Sequence, residues 1–304
     1  MNPQVVIDGF IAGSMIGLGA IGLTLVYSIL RFPNFAHGEL ITWGAYFAMS
    51  VSALLGGLAA GATAPIGPFS FGWGLIVAAG VAMVLTALLA LVLDLILFQL
   101  FRRRQSVMII VVMASFGASM ALRNLLEFIY TAQPGYFTRE LQIAMPLGGG
   151  MRATPDQLLA LGLTAVLVIA VHLLLTRTPT GRAMRAVSEN PSLAGLFGVD
   201  VDRVVRTVWV LGASLACAAG IIAGLLVQVR PYMGFDLLLP LFAAAILGGI
   251  GSVPGAIIGG LVIGFGEAFA VQFIGAQWRA AVAFFFLVAI LLVRPTGIFG
   301  KSQA

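Results

Sequence analysis

Runs of hydrocarbon side chains constrain this chain more than any other feature. Apolar stretches lie at about residues 10–30, 38–56, 72–100, 106–130, 156–176, 207–228, 237–273 and 279–294, separated by short polar gaps. About 20 apolar residues in a helix match the hydrocarbon thickness of a bilayer. In lipid the backbone N–H and C=O groups find no water, so a spanning segment must be a helix or part of a closed barrel. The period-two alternation of a barrel strand is absent, which leaves helices. The expected fold is an all-α integral membrane protein. It is a polytopic bundle of about 8–10 membrane elements, one transmembrane domain over residues 1–304. The 38 glycines suit such a bundle, because small residues let helix backbones approach closely. Matches to the G-x-x-x-G spacing occur at Gly13/Gly17, Gly220/Gly224, Gly255/Gly259 and Gly260/Gly264. The run from Gly255 to Gly264 is the best candidate for a tight crossing.

Charge sets the topology. Fifteen of the 16 basic residues are arginine, Lys301 being the lysine, and they flank apolar spans instead of forming a basic stripe. The net charge of +5 is therefore a topology signal under the positive-inside rule, and no nucleic-acid partner is expected. Arg102, Arg103 and Arg104 mark one cytoplasmic turn, and the polar interlude 178–206 marks another. Stretches 56–74 and 131–155 fall outside, the latter carrying Arg139 and Arg152 against Glu140. Arg294 and Lys301 return the C-terminus to the cytoplasm, which requires 237–273 to cross twice or to hold a re-entrant piece. The N-terminus comes out external. It lacks a basic region before its first apolar run and carries only Asp8, so that run is expected to remain as a span. A lone cysteine, Cys217, excludes a disulfide framework.

Two segments interrupt good apolar runs with proline beside glycine and polar residues: RFPNFAHGE (Arg31–Glu39) and GGIGSVPGA (Gly248–Ala256). Irregular backbone at membrane depth survives only where protein buries it or water reaches it. One break per half of the chain suggests an internal repeat with a pathway at the broken helices. The candidate residues are Asn34, Phe35, His37, Gly38 and Glu39, then Gly248, Gly249, Gly251, Ser252, Pro254 and Gly255. The alternative is a pair of ordinary turns at a membrane surface.

His37 and Glu39 share the H-x-E spacing of zinc deaminases, but the cysteine pair of that signature is missing, so no metal is expected. Arg123 and Glu127, four apart, can pair on one helix face. Asp94, Glu267 and Arg279 read as structural pairs or anchors, and His172 as a helix-end residue. There is no G-x-x-x-x-G-K-[ST] phosphate loop and no catalytic set, so the chain is expected to be no enzyme.

The stretch from Arg177 to Arg206 holds five of the basic residues, mixed with Glu189, Asp200 and Asp202. A chain this apolar needs no such segment merely to turn, whereas a soluble partner needs something to grip. Pro179 and Gly181 are expected to end the preceding helix, and Arg182–Val187 to start a short one. Ser188 or Asn190 can cap the next helix, with Pro191 in its first turn. Leu193, Leu196 and Phe197 then form an apolar ridge, and Gly198 ends the helix in a left-handed cap.

GRAMRAVSENPSLAGLFGVDVDRV (181–204) resembles the cytoplasmic coupling loop of ABC-transporter permeases, with Glu189, Ala194 and Gly198 in the pattern. Together with NFAHGE (34–39), GGIGSVPGA and the C-terminal RPTGIFG (294–300), it resembles the LivH-type permease of branched-chain amino acid importers from about Gly17 to Gly300. NFAHGE favours the LivH-type subunit over its LivM-type partner. The resemblance implies a permease subunit of an importer in the bacterial inner membrane, passing leucine, isoleucine or valine. Family members also serve urea and short amides. It implies a LivM-type second permease or a second copy of this chain, two cytoplasmic ATPases that use ATP and Mg, and an extracytoplasmic solute-binding protein. The ATPase-coupling residues it implies are Gly181, Arg182, Arg185, Glu189, Asn190, Pro191, Ala194, Gly198, Asp202 and Arg203. An ion-coupled secondary transporter is the competing reading.

Overall fold

A computed structural model describes residues 3–59, 61–138, 140, 142–294 and 296–300. Arg139, Pro295 and Lys301, which entered the charge and motif readings, lie outside the described residues. Among the described residues eight helices are long and apolar enough to cross a membrane, and a ninth apolar helix, Met233–Gly248, is shorter. The protein is a multi-pass membrane protein.

Helix α1 (Gln4–Leu30) stops where Arg31 turns left-handed at φ 57°. The chain then climbs back along α1 without helical structure until α2 (His37–Leu58) begins. His37 Nε2 lies 3.2 Å from the carbonyl of Gly19. Gly19 precedes Leu30 by eleven helical residues, so α2 starts about 16 Å inside the bundle, measured from the end of α1. Helix α3 (Trp73–Leu93) continues through a π-helical turn, Asp94–Phe98, into α4 (Gln99–Arg103). The Asp94 carboxylate in that turn is held by Arg102, with Nη2 at 3.0 Å. Helix α5 (Met108–Tyr130) returns to the opposite end. There a small hairpin, β1 (Met145–Gly148) paired antiparallel with β2 (Met151–Ala153), turns through Gly149 and Gly150. Sequence periodicity did not predict this hairpin, because its seven strand residues sit within a Gly/Pro-containing loop. Helix α6 (Pro155–Arg177) starts on a capping box, Thr154 with Gln157.

At the arginine-rich end the interlude folds into α7 (Pro179–Glu189) and α8 (Pro191–Leu196) before α9 (Val201–Leu226) re-enters the bundle. One expectation is corrected here. Pro179 begins α7 instead of ending α6, because Thr178 serves both helices: its N–H closes α6 and its Oγ1 accepts from Gly181 N. Asp200 caps α9, so the last residues of the 178–206 interlude, from Val201 onward, form the first turns of that helix. The remaining helices are α10 (Met233–Gly248), α11 (Val253–Phe273) and α12 (Arg279–Val293).

Helices α1 and α9 form the buried axis, while α5, α6 and α12 present broad apolar faces outward. The crossing of α1 on α11 is the glycine seam that the Gly255–Gly264 spacing suggested. A Cβ at Gly260 would meet Gly17 Cα at 2.5 Å, and one at Gly264 would meet Gly13 N at 2.2 Å. Nothing larger than hydrogen fits there.

The helices form an inverted repeat. α1, a re-entrant stretch and α2 occupy one half; α9, the stretch 227–232 and α10 occupy the other, running in the reverse direction. α1 packs on α11 as α9 packs on α3, and α2 packs on α3 as α10 packs on α11. The partner of the break at 31–36 is therefore 227–232, and not GGIGSVPGA. Residues 249–252 form a tight turn level with Ser28, near the arginine-rich end. Gly249 (φ 93°) and Gly251 (φ 91°) supply its left-handed steps.

Candidate functional site

The two inner helix ends meet. Gly38 in the first turn of α2 touches Gly234 in the first turn of α10, so closely that a Cβ on Gly234 would fall 1.8 Å from Gly38 O. Gly234 N donates to Thr42 Oγ1 at 3.0 Å across this contact. The first N–H groups of a helix have no partner within it. Two such ends, each carrying partial positive charge, thus converge inside the bundle.

Side chains from the break and from α5 knit this junction. Asn34 Oδ1 accepts from Ala36 N at 3.1 Å, an Asx turn that launches α2. Ser115 Oγ accepts from Phe35 N at 3.2 Å. The Gly19 carbonyl can only accept, so His37 Nε2 carries the proton between them. Glu39 Oε1 takes Arg123 Nη2 at 2.6 Å, Arg123 Nε at 3.2 Å and Ser119 Oγ at 3.0 Å. The same guanidinium lies 4.1 Å from the Phe235 ring centre and 5.2 Å from that of Tyr232. Arg123 therefore reaches across to α2, and its expected pairing with Glu127 is corrected: the 84-residue contact wins because it neutralises a fully buried carboxylate. Asn34 Nδ2, His37 Nδ1 and Glu39 Oε2 are buried with no hydrogen-bond partner among the described residues. His37 and Glu39 point to different neighbours and share no centre.

Asn34, Phe35, His37, Gly38 and Glu39 thus gather at one place, buried or half-buried and not solvated at an interface. Gly248, Gly249, Gly251, Ser252, Pro254 and Gly255 do not join them. Gly248 and Gly255 pack backbone on backbone, and Ser252 Oγ caps α11 through Gly255 N. Ile298 and Phe299 of the C-terminal segment donate to the carbonyls of Leu247 and Gly248 at 2.8 and 3.1 Å. Thr42, Ser115, Ser119, Tyr232, Phe235 and Gly234 were missed from the sequence, where only the apolar flanks of Gly234 hinted at a helix start.

An apolar cleft of about 170 Å³ opens on the arginine-rich side of the junction, lined by Leu23, Thr24, Tyr27, Pro33, Phe242, Ile246 and Ile250. It touches the first break through Pro33 and the turn through Ile250. Thr24 Oγ1, on its wall, has no hydrogen-bond partner among the described residues.

At the surface, α8 carries the ridge. Leu193, Leu196 and Phe197 are 50%, 85% and 82% exposed. Asn190 Oδ1 accepts from Leu193 N at 3.0 Å, so Asn190 is the cap and Ser188 is not. Gly198, at φ 82°, donates to Gly195 O, and Val199 N donates to Ala194 O, the paired bonds of a Schellman ending. Ala194 is buried beneath the ridge and Pro191 opens the helix. Gly181 packs on the carbonyls of Leu174 and Leu175, and Arg185 donates to the latter. Arg182, Glu189, Asp202 and Arg203 lie exposed along the same surface.

The family described as "Branched-chain amino acid transport system / permease component" matches residues 5–293. The high-affinity branched-chain amino acid transport system permease protein LivH of Escherichia coli (strain K12) is 32% identical over 99% of this chain and 96% of its own. BraD of Pseudomonas aeruginosa, a permease protein of the same named system, is 31% identical over 99% and 96%. A probable branched-chain amino acid transport permease protein LivH of Methanocaldococcus jannaschii is 27% identical over 99% and 93%. These relatives are permease subunits of transporters and not enzymes. With the match spanning α1 to α12, this chain belongs to the family of branched-chain amino acid transport system permease components.

Proposed function

We propose that this chain forms half of the pathway of an ATP-driven importer for leucine, isoleucine and valine in a bacterial inner membrane. The single observation that supports a path through the bundle is the meeting of two inner helix starts, at Gly38 and Gly234, beside unpartnered buried polar atoms. Helix N-termini attract anionic groups, so the junction suits the carboxylate of an amino acid in transit. The apolar cleft beyond it suits a branched aliphatic side chain.

The arginine-rich end is cytoplasmic under the positive-inside rule. There α7 and α8 are the coupling segment, and Leu193, Leu196 and Phe197 enter a groove on a cytoplasmic ATPase in the helix-in-groove manner. Two such ATPases bind ATP and Mg and perform the hydrolysis. A LivM-type permease, or a second copy of this chain, supplies the other half of the pore, and an extracytoplasmic binding protein delivers the solute.

The test is uptake of labelled leucine in cells lacking the gene, with and without the chain restored, against excess isoleucine, valine, urea and acetamide. Restored uptake blocked by isoleucine and valine alone supports the reading. Competition by urea or acetamide instead transfers the pathway to small amides. In the same cells, Leu196→Asp with Phe197→Asp is expected to strip the ATPases from the purified complex. Uptake that survives ATP depletion and follows an ion gradient would replace the reading with a secondary transporter.

A further inference from the structure

The coupling segment and the re-entrant break are joined through the Arg31 side chain. Arg31 Nη2 donates to the carbonyls of Ser188 and Glu189, each at 3.0 Å. Those are the last two carbonyls of α7, the end of a helix where a cation is favoured. The backbone of Arg31 is equally committed: it closes α1 in the left-handed region, with its N–H on Tyr27 O at 2.8 Å. From Arg31 the chain runs through Phe32, buried against Phe98 at 5.2 Å, to Pro33 on the wall of the cleft. Asn34 and its Asx turn follow at once, then His37 and the start of α2.

We propose that Arg31 is the positioning residue that transmits movement of α7 and α8 to the re-entrant break, and so sets the opening of the cleft. This rests on the reading of α7 and α8 as the ATPase-coupling segment. The link is short and stiff. Proline fixes φ at Pro33, Phe32 is buried against Phe98, which stacks on Trp209, and Arg31 has a left-handed backbone with little freedom to absorb a shift. Coupling between two sites needs an element that both of them bias. The stretch 31–36 qualifies, since one end is tied to α7 and the other is the first turn of α2. The competing route is α9, which also follows α8 and packs on α1 and α2.

The experiment uses the full permease–ATPase complex in proteoliposomes. Ile246→Cys is placed on the cleft wall, and its labelling by an impermeant maleimide is timed with and without ATP. The native Cys217 is buried and supplies little background. ATP is expected to change the labelling rate in the otherwise wild-type complex. Arg31→Gln is expected to reduce that ATP-dependent change about tenfold, the scale of losing charge-assisted hydrogen bonds, while the ATPases stay bound and hydrolyse ATP. Arg31→Lys, a point charge without the planar fork, should recover part of it. An unaltered response in Arg31→Gln overturns the inference and assigns transmission to α9. So does a loss of response together with loss of the ATPases, which would make Arg31 a docking or folding residue. A complex that never holds an ATPase, even with Arg31 intact, overturns the coupling reading itself and the inference with it.

Discussion

Glu39 and Arg123 show how much one residue pair can carry in lipid. The Glu39 side chain has no exposure and that of Arg123 only 11%; each charge neutralises the other, and Ser119 donates a hydrogen bond to Glu39. Removing one partner of a buried pair leaves an uncompensated charge, which typically costs about 3 kcal/mol or more. Glu39→Ala is therefore expected to lower stability by about that amount in mixed-micelle unfolding. Glu39→Gln combined with Arg123→Gln, which removes both charges, should recover more than half. A double variant no better than the single one would mean that the loss lies in packing around α2. The acid, the base and the apolar setting were all visible in the sequence, and so was an i, i+4 partner at Glu127. The choice of Glu39 was not visible, because 84 residues separate it from Arg123 and nothing local favours it.

Among the elements, the α1–α11 seam and the α8 ridge were the most legible. G-x-x-x-G spacing is a property of one helix, and the closest approach indeed falls on Gly260 and Gly264. Their neighbours are the backbone of Gly13 and Gly17, which cannot move aside as a flexible side chain would. Gly264→Leu is expected to force α1 away and to destabilise the bundle by about 1–3 kcal/mol, as overpacking does. Thermal unfolding in detergent, read against Gly80→Leu on the open face of α3, would check it. Equal melting of the two variants would sink the argument. Helix α8 was legible for a related reason: Asn190, Pro191 and Gly198 act on their own backbone within a few residues. Pro179 misled, since proline after a helix can equally be the first residue of the next one.

For the whole molecule the inverted repeat matters most. It puts two inner helix starts back to back, with 31–36 rising from the arginine-rich end and 227–232 descending from the other, where Val229 pairs with Gly135 at 2.8 and 2.9 Å. Residues on the two breaks should face opposite sides of the membrane. Tyr232→Cys, on the second break, is expected to react with impermeant maleimide from outside only, and Ile250→Cys, on the turn that shares the cleft with Pro33 of the first break, from inside only; labelling of both from one side would refute the arrangement. The sequence by itself determined that lipid is the solvent, that helices cross it, and that a capped surface helix bears an apolar ridge. Those follow from hydrophobicity, backbone satisfaction and short-range capping, all local. Only the tertiary structure decided that the first break pairs with 227–232, that GGIGSVPGA is an end turn, and that Gly38 meets Gly234. How deep a break lies depends on which helices flank it, and in a bundle of uniformly apolar helices that choice is made by close packing between residues far apart in the chain.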